Sequence, residues 1–319
     1  MFSPSGIFKK LVKSRFQISW IALLVFVSLL GIQCKTEKSA SKSAGATKSI
    51  YSRDNLVAWC IVPYDVKERT PEERAQMLNK LGITKLAYDW REKHISTFDA
   101  ELEALKKHNI QLQSFWYMSG PEPEKDKNLK IILDVLQRHN VKTQIWCMLV
   151  NIKGLDSMTQ EQKVVAHAKP LRYIAEQAAK IGCSVGLYNH GGWYGMPENQ
   201  VQLIDYLKMP NLGIVYNFHH AEDDVERFPQ FLPLIKPHLM TVTLMGLVKG
   251  PRAKVVPVGQ GNAEQEMMRL VKESGYTGPI SIINEDTAPD AEEGLRLNMT
   301  GLQKILQAMG ETEALKTYQ

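Results

Sequence analysis

Cysteine is scarce in this chain: four residues among 319, with no C-x-x-C pair that would suggest a zinc site. Three of the four, Cys60, Cys147 and Cys183, lie in or directly beside apolar strand-like runs, which reads as buried core thiols. A disulfide between two of them stays open. No glycine-rich phosphate loop follows the first strand-like run, which argues against a doubly wound nucleotide-binding sheet. Long apolar runs are scarce as well. The one near the N-terminus, Ile18 to Ile32, is short for a membrane span. Basic excess is missing from the body of the chain. Residues 1–50 hold eight of the 39 Lys and Arg but one of the 34 Asp and Glu, so residues 51–319 keep 31 basic and 33 acidic side chains, a formal charge of −2. A mildly acidic body argues against a nucleic-acid partner, which wants a basic face.

What is present begins with an address. Lys9, Lys10, Lys13 and Arg15 precede the apolar run, Cys34 follows it, and a Lys/Ser/Ala-rich stretch leads to residue 50. The pattern resembles a bacterial lipoprotein signal, in which Cys34 would carry the lipid. The preceding Gly31-Ile32-Gln33 departs from the usual leucine and small residue of that signal. A cleaved secretory signal and an uncleaved N-terminal anchor are the alternatives. All three place the body in the cell envelope, facing the periplasm or the exterior, with membrane contact through the anchor alone. The expected division is a signal over 1–34, a disordered tether over 35–50 and one folded domain over 51–319.

Within the body, apolar, β-branched or aromatic runs alternate eight times with amphipathic helical stretches. The expected strands are Leu56–Val62, Lys85–Trp90, Gln111–Met118, Lys142–Val150, Ser184–His190, Leu212–Phe218, Leu239–Met245 and Ile280–Asn284. Thr70 before Pro71 reads as a helix N-cap with proline at the first position, and Gly82 as the stop. Thr97 reads as a second cap of the same kind. Phrases such as KLGITKLAYDW and AKIGCSVGLYN repeat one junction: helix end, short turn, buried strand. Eight such units over about 269 residues predict an α/β fold, a single (β/α)8 TIM barrel.

Functional residues of such a barrel gather at the C-terminal ends of its strands. Trp59, Trp90, Trp116 and Trp146 lie in or at the ends of strands one to four, and Trp193 follows strand five. Each alone is a core filler, but together they predict an aromatic-lined mouth suited to the C–H faces of a sugar. At the end of strand two, Asp89-Trp90-Arg91 alternates in direction, with His94 beyond, and reads either as ligand contacts or as a structural ion pair. Strands five and six end in Asn189-His190-Gly191-Gly192 and Asn217-Phe218-His219-His220. These donors suit a divalent metal or sugar hydroxyls. Gln260, between Gly259 and Gly261, is a further candidate for the pocket. Asn284-Glu285-Asp286 ends strand eight with the best-placed carboxylates, although Asp286 also reads as a helix cap.

VGLYNHGG at strand five, GIVYNFHH at strand six, VPVGQGNAE after strand seven and SGYTGPISIINE at strand eight, in that order, resemble the xylose isomerase-like TIM barrels. The resemblance spans roughly Leu56 to Met309. It implies a sugar isomerase or epimerase, with the apurinic endonucleases as another branch. It also implies one divalent metal held by Glu, Asp, His and Glu at the ends of strands five to eight, with the glutamates shuttling protons. Here Tyr188, Asn217, Thr243 and Ile283 stand in those four places. His190, His219 and Glu285 each lie two residues further on, with the same inward parity along an extended strand. The expectation is a displaced site for Mn, Mg or Zn on His190, His219 and Glu285, without an organic cofactor. His190, Glu285 and His220 are then the proton-transfer groups, with Arg91 at the developing oxyanion. Trp59, Asp89, Trp90, Arg91, Trp116, Asn189, Trp193, Asn217, Gln260 and Asn284 are the expected contacts to a small sugar. The alternatives are metal-free chemistry with His190 or His220 as base, and a carbohydrate-binding lipoprotein that has lost catalysis.

Overall fold

The computed structural model describes residues 48–250 and 253–319. The signal, Cys34 and nearly all of the expected tether lie outside the described residues. No helix among the described residues is long and apolar enough to cross a membrane.

Seven parallel strands come first: β1 (Leu56–Trp59), β2 (Lys85–Tyr88), β3 (Gln111–Ser119), β4 (Gln144–Leu149), β5 (Ser184–Tyr188), β6 (Leu212–Asn217) and β7 (Leu239–Leu244). A small antiparallel hairpin of β8 (Gly246–Val248) and β9 (Lys254–Val256) follows, and then β10 (Ile280–Ile283). The eight parallel strands close in the order β1-β10-β7-β6-β5-β4-β3-β2, so the sheet is a TIM barrel. Each observed strand ends within three residues of its expected C-terminal end, and all but β3 end earlier. Among the residues that leave the ladder early are the polar strand-end residues Asp89, Asn189, His190 and Asn284.

Local chemistry explains the main helices. α1 (Pro71–Leu81) starts at a capping box in which Thr70 accepts the Glu73 amide and the Glu73 carboxylate accepts the Thr70 amide. It ends at Gly82, whose φ of +67° suits a residue without Cβ. The expectation for Thr97 is corrected. Its hydroxyl donates to the His94 carbonyl inside a 3-10 turn, Glu92–Thr97, and does not cap α2 (Phe98–Lys107). α1 and α2 are joined by a sealed ion pair, with Arg74 donating through Nε and Nη2 to the two Glu101 oxygens at 3.2 and 3.1 Å. α3 (Lys127–Arg138), α4 (Gln160–Lys180), the one-turn α5 (Gly192–Gly195), α6 (Pro197–Leu207), α7 (Phe228–Ile235), α8 (Glu264–Glu273), α9 (Ala291–Ala308) and α10 (Thr312–Lys316) complete the fold.

The barrel interior is packed. Gly186 on β5 leaves room for its neighbours: a Cβ there would sit 2.5 Å from Val215 and 3.4 Å from Trp146. Cys60, Cys147 and Cys183 are buried and unpaired. The β8–β9 hairpin has no counterpart among the expected elements, because three-residue strands fall below the length at which alternation can be read. The buried Glu264 carboxylate ties it down by accepting the amides of Leu247, Gly259 and Gly261.

Candidate active site at the barrel mouth

Four aromatic side chains meet across the barrel. Trp59 on β1 touches Trp116 on β3, Trp146 on β4 and Tyr188 on β5, with ring centroids 5.7, 4.8 and 6.0 Å apart. β1 and β5 are opposite strands of the closed barrel, so this cluster spans the axis. The Trp59 indole N–H donates to the Tyr188 oxygen at 3.1 Å, and Asn217 Nδ2 donates to the same oxygen.

Above the plug lie the histidines, in a different grouping from the expected one. His190 and His220 form a pair with centroids 4.2 Å apart, and both rings approach Tyr188. His219 instead turns toward Asp286, with Nε2 3.6 Å from Oδ2. The cause is local. Phe218–His220 is a 3-10 turn, opened by the Asn217 side chain accepting the His219 amide. Successive side chains in such a turn point about 120° apart, so the extended-strand parity that grouped His219 with His190 does not survive. Burial, reinforced by His190 and His219, pushes the His220 imidazole down to about 3, so it is neutral at physiological pH.

A second polar group lies at the ends of β1, β2 and β10. The Tyr64 hydroxyl donates to Glu285 at 2.5 Å, and Cys60 Sγ lies 3.5 Å from the other Glu285 oxygen. Cys60 has a φ of +53°, which is uncommon for a residue with a Cβ. Burial raises its thiol, and Asp89 and Glu285 add to the effect. Asp89 is 1% exposed, and neither of its oxygens has a hydrogen-bond partner among the described residues. Burial pushes its carboxyl up to about 8 despite the Arg91 guanidinium. Arg91 does not close on that carboxylate. Its Nη1 donates to the Asp89 and Trp90 carbonyls, and its guanidinium lies 5.7 Å from the Tyr64 ring centre. Cys60 and Tyr64 were not among the expected site residues. Cys60 lies inside the strand expected over Leu56–Val62, and only the observed end of β1 at Trp59 puts it at a strand end.

Trp90, Arg91, Trp116, Met118, Met148 and His190 line a cleft of about 370 Å³ beside the plug. The Trp90 indole N–H donates to the Trp116 carbonyl at 2.7 Å, which fixes one wall against the other. A larger cleft of about 630 Å³ runs along the rim between the loops after β1 and β10. Its Asp65 is paired with Arg69 at 2.6 Å.

Other expected contacts stand elsewhere. Trp193 on α5 packs against His167 at 4.4 Å and donates to Gln160. Asn189 is spent on the β6 backbone, exchanging hydrogen bonds with the Asn217 amide and carbonyl at 2.7 and 3.0 Å. Asn284 donates to the Tyr64 carbonyl. Gln260 is exposed in the turn after β9.

The residues at the family's metal positions do not fit a divalent ion. The Tyr188 oxygen accepts from Trp59 and from the Asn217 amide, whose own oxygen accepts the His219 amide; Thr243 and Ser281 share a hydrogen bond at 2.5 Å, and Ile283 is a buried hydrocarbon. The displaced set of His190, His219 and Glu285 is likewise corrected. Among the described residues, no three His, Cys, Asp or Glu side chains converge as ligands.

A family model described as xylose isomerase-like TIM barrel matches residues 75–304. Three solved structures show the same fold. A 3-keto-D-glucoside 4-epimerase from E. coli is 14% identical, with a TM-score of 0.60 over 79% of this chain and 99% of its own. A D-allulose 3-epimerase from Methylomonas sp., in complex with D-allulose, is 13% identical, with a TM-score of 0.59 over 80% of this chain and 97% of its own. An IolI protein with a bound zinc atom is 14% identical, with a TM-score of 0.63 over 79% of this chain and 98% of its own. No curated protein sequence matches the chain.

Proposed function

We propose that this chain, which belongs to the xylose isomerase-like TIM barrel family, binds a small carbohydrate in the cleft at its barrel mouth through aromatic and hydrogen-bonding contacts rather than a metal ion. One observation carries the reading: the cleft between Trp90 and Trp116, with Arg91 and His190 among its lining residues. Indole faces suit the C–H faces of a sugar, and Arg and His suit its hydroxyls. That two structures of this fold are named as sugar epimerases supports a sugar as the ligand class.

The test is a tryptophan-fluorescence titration of the full-length chain with D-allulose, D-fructose and D-glucose. A saturable change with at least one sugar is expected, weakened about tenfold by Trp116→Ala, since loss of one buried contact is worth about that much. No response to any sugar overturns the reading.

A second reading, sugar isomerisation or epimerisation, is favoured by the pairing of the His190 and His220 rings, 4.2 Å apart at the strand ends. In it, one imidazole of the pair takes the proton from the carbon next to the carbonyl; for isomerisation it returns it to the neighbouring carbon while the hydroxyl proton passes between the two oxygens, and for epimerisation the other imidazole protonates the same carbon from the opposite face. Deuterium uptake from D2O at that carbon, lost in His220→Ala while sugar binding persists, is the expected signature. A bound sugar that takes up no deuterium leaves a binding protein.

The basic leader, apolar run and Cys34 support a place in the cell envelope, anchored through a lipid on Cys34. Cys34→Ser should move the protein out of the membrane fraction. Unchanged fractionation argues for an uncleaved anchor instead.

A further inference from the structure

We propose that the Tyr188 hydroxyl, whose oxygen accepts from two donors but whose proton has no acceptor among the described residues, is a buried hydrogen-bond donor set to take an oxygen of the bound sugar where the family resemblance places a metal ligand. Donors and acceptors around this phenol can be assigned without ambiguity. The Trp59 indole N–H, 3.1 Å away, can only donate. The Asn217 amide could in principle face either way. Its Oδ1, however, accepts the His219 backbone N–H at 3.0 Å, which fixes the amide and leaves Nδ2 to face the phenol. Both neighbours therefore donate, and together they fill the two lone pairs of the phenol oxygen. A phenol keeps its proton at neutral pH, and neither neighbour can accept it. No described residue accepts a hydrogen bond from Tyr188.

Buried polar hydrogens without a partner are rare in folded proteins and are commonly met by water or ligand. The rings of His220 and His190 lie 5.8 and 6.5 Å from the Tyr188 ring, on the strand-end side of the plug. A sugar oxygen at the phenol would have a donor at one side and imidazoles beside it. A preorganised O–H directed at a carbonyl oxygen stabilises developing negative charge, one of the tasks a metal ion performs elsewhere. The inference rests on the carbohydrate reading of the cleft, and the two fail separately in the following experiment.

The first arm needs no sugar. A crystal structure of the ligand-free full-length chain is expected to show an ordered water within hydrogen-bond distance of Tyr188 Oη, as a third partner beside Trp59 and Asn217. A dry oxygen with those two contacts alone overturns the proposal. The second arm titrates D-allulose into wild type, Tyr188→Phe and Trp59→Phe. Tyr188→Phe is expected to bind about tenfold more weakly or worse, the cost of one buried hydrogen bond. Trp59→Phe, which disturbs the same packing but keeps the hydroxyl, should lose less. Equal losses in the two variants mark a packing effect and overturn the proposal. A wild type that binds no sugar, with the water in place, removes the carbohydrate reading and leaves the donor assignment supported.

Discussion

Trp59 and Tyr188 sit on opposite strands of the barrel and are joined across its axis by a 3.1 Å hydrogen bond. A contact of this kind ties the two halves of the sheet together at the mouth. Trp59→Ala would leave a void lined by Trp116, Trp146 and Tyr188 and an unfilled acceptor on Tyr188. The expected loss is about 3–5 kcal/mol, read from urea denaturation at constant slope. A loss below about 1 kcal/mol would mean that the plug collapses into the space.

Asp89 makes stability depend on pH. Its folded-state pKa of about 8 lies far above the unfolded value of about 3.9. The unfolded chain therefore releases this proton first as pH rises. The contribution is fully present below about pH 4 and is lost progressively as pH rises toward and through 8. Asp89→Asn removes the titration. Between about pH 5 and pH 8, wild type should lose on the order of a few kcal/mol relative to the variant, measured by denaturation at each pH. Parallel stability curves would show that Asp89 is already ionised in the folded protein.

Metal removal should leave the protein as it is. The phenol, amide, hydroxyl and hydrocarbon at the four family positions offer no ligand set, and the histidines divide between two partners. Metal analysis of the purified full-length chain is expected to find no stoichiometric Mn, Mg or Zn. EDTA should shift neither the thermal midpoint nor sugar binding, since a bound ion would stabilise by mass action. A chelator-sensitive midpoint would restore the metal reading.

Glu264 holds the hairpin and the turn after it. Glu264→Ala leaves the amides of Leu247, Gly259 and Gly261 without their acceptor. The expected cost is about 3 kcal/mol, with faster hydrogen exchange confined to the segment from β8 to the start of α8. Unchanged exchange there would show that the turn is held by its backbone contacts alone.

Strand and helix positions were legible because they follow from local pattern. The run Ser184–Tyr188 is apolar and stops at polar residues, and the Thr70-Pro71…Gly82 signals act within one turn of the helix ends. Thr97 shows the limit of such signals. A preceding 3-10 turn took its hydroxyl, and nothing in the cap pattern announces that turn.

By itself, the sequence determined the alternation of eight strands and helices, hence the barrel, and it marked the strand ends where aromatic, Asn and His residues collect. Tertiary structure alone decided how those residues pair. A three-residue turn at Phe218–His220 rotated His219 toward Asp286 and His220 toward His190. Barrel closure brought Trp59 to Tyr188 from more than a hundred residues away and set the Asn217 amide against the phenol oxygen as a second donor. Periodicity reports which way a side chain faces on its own strand. What it meets there depends on the other seven strands and on where each one leaves the sheet.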